Sequence, residues 1–153
     1  MLTSAAGSSA PGRPAGGFTL LELLVVVAII AIGSAGVSFA LRDAGATQLE
    51  REAQRLAALL ESGRAQSRSS GVPVRWHPTP TGFQFEGVPA DTLPDHWLAP
   101  TTQARGDPTL QLGPEPIIGR QEVVLESSVL PGRSLRIATD GLRPFTVNPG
   151  DTP

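Results

Sequence analysis

The stretch GGFTLLELLVVVAIIAIGSAGVSFALR, residues 16–42, decides how the chain is read. From Phe18 to Leu41 it runs through 24 residues with a single charge, Glu22. As a helix rising 1.5 Å per residue this covers about 36 Å, more than the roughly 30 Å of a hydrocarbon core. A secretory apolar region is shorter, about 7–15 residues, and ends in a small-residue cleavage site. SAGVSFA, at the far end of the run, imitates such a site. Against a plain signal peptide or simple anchor stands Glu22. A carboxylate in hydrocarbon costs about 2.5–3.5 kcal/mol, and acids inside a membrane are functional suspects by default. Glu22 lies one turn from the N-terminal edge, so snorkelling relieves part of that cost.

Outward from the run, residues 1–17, MLTSAAGSSAPGRPAGG, are small, polar and rich in Pro and Gly, with one cation, Arg13. No stable helix is expected there. A positive charge on this side holds the N-terminus in the cytoplasm and sends the C-terminal part across the membrane.

Gly17-Phe18-Thr19-Leu20-Leu21-Glu22 resembles the class III signal of type IV pilins and type II secretion pseudopilins. In that superfamily a prepilin peptidase cuts after the Gly, the exposed Phe is N-methylated, and the Glu at the fifth mature position pairs with the N-terminal amine of a neighbouring subunit. The resemblance implies a cut between Gly17 and Phe18, methylation of Phe18, and Glu22 as the assembly acid. It accounts physically for the acid. Costly in lipid alone, a carboxylate beside an amine becomes a paired charge in low dielectric, where attraction far exceeds that in water. Major pilin-like subunits commonly carry a Pro in the span. None lies between Phe18 and Leu41, which points toward a minor subunit.

Beyond Arg42 the helical rhythm continues. Leu49, Ala53, Leu56, Ala57 and Leu60 follow i, i+4, i+7 spacing, a core-facing stripe, with Glu50, Arg51, Glu52, Arg55 and Glu61 among the remaining positions. Arg64 and Arg68 suit a helix C-terminus. Gly71 is a natural residue to end the helix, and Pro73 blocks its continuation. GSAG (33–36) is a candidate bending point. After Gly71 the alternation is that of strands. VPVRWH (72–77), PTPTG (78–82) and FQFEGV (83–88) predict a hairpin with a five-residue loop. Residues 89–119 read as an irregular excursion with only HWLA and TLQL strand-like. QEVVLESSVL (121–130), SLRIATD (134–140) and RPFTV (143–147) complete a β-rich end, with Asn148–Pro153 as a frayed tail.

SGVPVRWHPTPTGFQFE, HWLAP and SLRIATDGLRPFTV resemble the H-type minor pseudopilin of type II secretion, although residues 99–120 match nothing in that pattern. The resemblance implies an α+β fold, a long N-terminal helix packed on two antiparallel sheets. It divides the chain into a leader (1–17), a transmembrane helix half (18–41), an amphipathic periplasmic half (42–71) and a β-rich periplasmic domain (72–153). The protein would be a single-pass inner-membrane subunit at or near the tip of a short pseudopilus. Its partners would be the other minor pseudopilins, the major pseudopilin and the prepilin peptidase, with no cofactor.

The remaining chemistry is sparse. There is no Cys, so there are no disulfides or thiolate sites, and all twelve basic residues are Arg. His77, His96 and Asp95 lack metal-ligand spacing, and Asp91, Asp95 and Asp107 lack a calcium-loop pattern. No nucleophile elbow, phosphate loop or dinucleotide fingerprint occurs, so no enzyme is expected. Trp76, Phe83, Phe85, Trp97 and Phe145 are expected in the core. Arg133, Arg136 and Arg143 raise a second possibility, because a relative, the FimT-type minor pilin, binds DNA through arginines near its C-terminus. Glu122 and Glu126 on the neighbouring strand are positioned to pair with these arginines. With Arg13 in the leader, eleven arginines and fourteen acids follow Gly17, a net charge of −3 that opposes nucleic acid as a partner.

Overall fold

The computed structural model describes residues 18–150, with the backbone alone for 38–41. One helix, α1 (Leu20–Ser70), precedes seven strands: β1 (Arg75–Thr79), β2 (Gly82–Glu86), β3 (Thr102–Ala104), β4 (Leu110–Gln111), β5 (Gln121–Ser127), β6 (Ser134–Thr139) and β7 (Thr146–Pro149). The helix ends where the sequence says it must. The Gly71 N–H donates to the Ser67 carbonyl at 2.9 Å, and Gly71 adopts a left-handed φ of 69° that a side chain resists.

The chain divides into two compact units, at Ser38. In the first, every described side chain from Phe18 to Val37 is exposed, and the helix is long and apolar enough there to cross a membrane.

The second unit, from Phe39, contains an α+β arrangement. Leu49, Ala53, Leu56, Ala57 and Leu60, the stripe read from the sequence, are all buried against two antiparallel sheets of order β2-β1-β4 and β3-β5-β6-β7. The alternation in β5 and β6 turns Val123, Leu125, Leu135 and Ile137 inward, and the first sheet contributes Trp76, Phe83, Phe85 and Leu110. Phe83 packs edge-on to Trp97, ring centroids 4.6 Å apart, and edge-on to Phe85. All five aromatic residues expected in the core lie there. Gly63 permits close helix–sheet approach, since a Cβ at that position would stand 2.9 Å from Leu112 Cδ1.

Four expectations require correction. The first hairpin closes through Pro80 and Thr81 alone, with Thr79 opposite Gly82, so Pro78 belongs to β1. It is tolerated because the Phe83 N–H opposite it donates to the Asp95 carbonyl, which makes this a pair without ladder bonds. HWLA forms no strand, only a bridge between His96 and Gly82. The unremarked TQA does form one, because β5 supplies its ladder. Asn148 and Pro149 belong to β7, and the Gly150 N–H bonds the Ser134 carbonyl, so the tail is paired to that point. Residues 151–153 lie outside those described.

The fourth correction is Glu52, which stands on the buried side of the helix at 1 % exposure. Its carboxylate accepts from Arg55 at 2.9 Å and from the Leu98 N–H at 2.8 Å, while Arg55 also donates to the His96 carbonyl. Nine residues on, Glu61 and Arg64 form a similar staple. Glu61 accepts from the Phe145 N–H, and the buried Arg64 donates to the carbonyls of Gly141 and Arg143. A charge on the inner face is stable only because irregular backbone brings it these partners.

Candidate functional site: the head of the helix and the arginines of the second sheet

Thr19 is the N-cap of α1. Its hydroxyl and its carbonyl both accept from the Glu22 N–H, at 3.2 and 3.1 Å, and the carbonyl also accepts from Leu23. Glu22 therefore sits three residues into the helix, in the spacing of a capping box, at the end where the helix dipole favours negative charge. The sequence reading missed this role, although the Thr-x-x-Glu signal was present. The Glu22 carboxylate has no ion-pair partner among the described residues, and its neighbours Leu20, Leu21, Leu23 and Leu24 are exposed apolar side chains. Phe18, also exposed, is the first described residue. Gly17 and the leader lie outside the described residues.

The C-terminal arginines do not form one cluster. Arg136 and Arg143 share a groove of about 300 Å³ on the second sheet, together with Arg120, Glu122 and Asp140. Arg133 lines a different hollow, with Arg105 and Glu126. Glu122 stands 3.9 Å from Arg136, as the sequence suggested, but Glu126 pairs with Arg105 instead. Asp140 accepts from the N–H groups of Arg143 and Leu142 at 2.8 and 2.9 Å, and these bonds hold its carboxyl below the usual range. Arg120 was not singled out from sequence. It lies between the excursion (89–119) and β5, and only the fold carries it to the groove.

His96 contacts Asp95 at 3.2 Å and His77 lies 4.0 Å from Glu86. Among the described residues no three potential metal ligands converge.

Residues 12–38 match the prokaryotic N-terminal methylation motif. The chain carries a type IV pilin-like prepilin signal. A prepilin signal of this kind indicates a type IV pilin-like or pseudopilin protein, and it implies processing by a prepilin peptidase and assembly with pilin-like subunits. The apolar head of α1 accords with a single-pass membrane anchor. No curated protein and no solved structure matches the chain.

Proposed function

We propose that the chain is a minor pseudopilin of a type II secretion system, a non-enzymatic structural subunit at or near the tip of the pseudopilus. Cleavage between Gly17 and Phe18 frees an amine that is then methylated. Glu22 directs insertion beside a neighbour, the apolar stretch 18–41 packs in the filament, and the β-rich part, in the periplasm, contacts the other minor subunits and the major one. The observation that carries the reading is Glu22, a lone carboxylate within an exposed apolar run inside a methylation motif. Unpaired in lipid it penalises the free subunit, and paired with an incoming amine it stabilises the assembled one. The resemblance of the hairpin and the C-terminal strands to the H-type subunit supports secretion in particular.

A second reading, a FimT-type minor pilin that binds DNA, draws support from the grouping of Arg120, Arg136 and Arg143. A deletion in the native host, complemented with the wild type or Glu22→Ala, separates the two. Secretion readings require loss of hydrolases from the culture supernatant with intact transformation by added DNA, and no rescue by Glu22→Ala. Loss of transformation with normal secretion would overturn the choice. Normal incorporation of Glu22→Ala into filaments would remove the role given to the acid.

A further inference from the structure

The second sheet ends at β7, and β7 has an open side. The Gly150 N–H donates to the Ser134 carbonyl, and the register runs Arg136 opposite Asn148 and Ala138 opposite Thr146. In an antiparallel ladder the bonded pairs alternate. Thr146 and Asn148 therefore turn their main chain toward β6, and the N–H and C=O of Val147 point away from it, as does the Pro149 carbonyl. The Phe145 N–H, of the same parity, likewise bonds away from β6, to Glu61. No strand of the described residues covers this edge.

Beside the edge lies the groove lined by Thr146 and Asn148 of β7 itself and by Arg120, Arg136 and Arg143. Its charges are not balanced. Asp140 is engaged by two backbone N–H groups of its own turn and stands 3.5 Å from the Arg143 Nε, Glu122 faces Arg136, and Arg120 has no acid within 4 Å among the described residues, so three cations meet two acids. The Arg136 Nε is shielded from solvent and has no acceptor. The turn bearing Arg143 is preorganised. Buried Arg64 holds its carbonyls, Thr139 donates to the Arg143 carbonyl at 2.6 Å, and Gly141 lies so near the Ile118 carbonyl that a Cβ would stand 1.8 Å from it. A turn whose backbone is already held costs less ordering when a ligand arrives.

We infer that β7 and this groove dock an extended acidic segment of a neighbouring protein subunit, which adds a strand at Val147 and sets carboxylates against Arg136 and Arg143. The inference rests on the reading of the chain as a filament subunit. Strand addition supplies main-chain bonds, and side chains at alternate positions supply selectivity. A carboxylate at every second residue matches guanidiniums spaced across one sheet face. Nucleic acid fits less well. Its continuous phosphates would meet Glu122 and Asp140 in the groove wall, and it has no use for the Val147 main chain.

The test uses the purified full chain in detergent micelles and labelled peptides of alternating valine and glutamate, followed by fluorescence anisotropy. Binding is expected, with none for the valine–lysine peptide. Methylating alternate peptide nitrogens is expected to abolish it, because that blocks pairing without altering the protein. Arg136→Gln with Arg143→Gln is expected to weaken it roughly tenfold or more, since two charge-assisted bonds are lost. Both side chains are partly or largely exposed, so the fold is retained, and Arg120→Gln gives an independent, smaller loss. Absence of binding, insensitivity to N-methylation, or displacement of the peptide by short duplex DNA through the same arginines would each overturn the inference. Filament incorporation is scored separately, so failure here leaves the assembly reading standing, and failure there leaves this binding measurable.

Discussion

Two glutamates of one helix sit in opposite surroundings. Glu22 lies in the first compact unit, among exposed leucines, with no ion-pair partner among the described residues. Glu52 lies in the second, 1 % exposed, and bonds Arg55 and the Leu98 N–H. Glu52 is satisfied by its own chain and so serves stability. Glu22 bonds through its backbone at the helix cap, and its carboxylate has no ion-pair partner among the described residues, as the proposed assembly role requires. The difference shows that a charge on a buried helix face is held by what the tertiary structure brings to it.

Exchange of each acid tests the contrast most severely. Glu52→Ala leaves the Leu98 N–H without an acceptor and Arg55 without its counter-charge, keeping only the His96 carbonyl, and is expected to cost about 2–4 kcal/mol in urea unfolding of the full chain in detergent. Glu22→Ala should change that transition by less than about 0.5 kcal/mol while abolishing incorporation into filaments. Equal effects of the two on unfolding would erase the distinction.

The glycines extend it. Gly141 has a φ of 92° and almost touches the Ile118 carbonyl, so Gly141→Ala should lose about 2–3 kcal/mol, read as a lower midpoint of thermal unfolding. Gly71 has a similar φ but nothing within 4 Å of a Cβ. Gly71→Ala should therefore lose only the conformational part, about 1 kcal/mol. Gly33, in the first unit, has an ordinary helical backbone and open space around it, so Gly33→Ala should leave the unfolding of the β-rich part unchanged.

Asp140 gives a small effect that depends on pH. Its carboxyl is held below the usual range by the N–H groups of Arg143 and Leu142. A depressed folded pKa means that its stabilisation is present above the unfolded value, near pH 4, and is lost as pH falls through the folded value. Asp140→Asn should be slightly less stable than the wild type at neutral pH, and the two should converge under acid. An unchanged gap down to low pH would show that Asp140 acts through shape rather than charge.

The sequence by itself determined whatever depends on local periodicity and local chemistry. The apolar run from Phe18 to Leu41, the stripe Leu49–Leu60, the stop at Gly71 and the alternation of β5 and β6 were legible because one-dimensional spacing maps directly onto a helix face or a strand face, whereas β7 covers Thr146–Pro149 and not the expected 143–147. The lone Glu22 was legible because its cost in an apolar medium needs no partner to be recognised. Tertiary structure alone decided the rest. Residues 102–104 became a strand because β5 lay alongside, Glu52 went inside because the Leu98 N–H reached it, and Arg120 joined Arg136 and Arg143 while Arg133 was left apart. Each of these depends on a contact between residues far apart in the chain, and such contacts leave no periodic trace in the sequence.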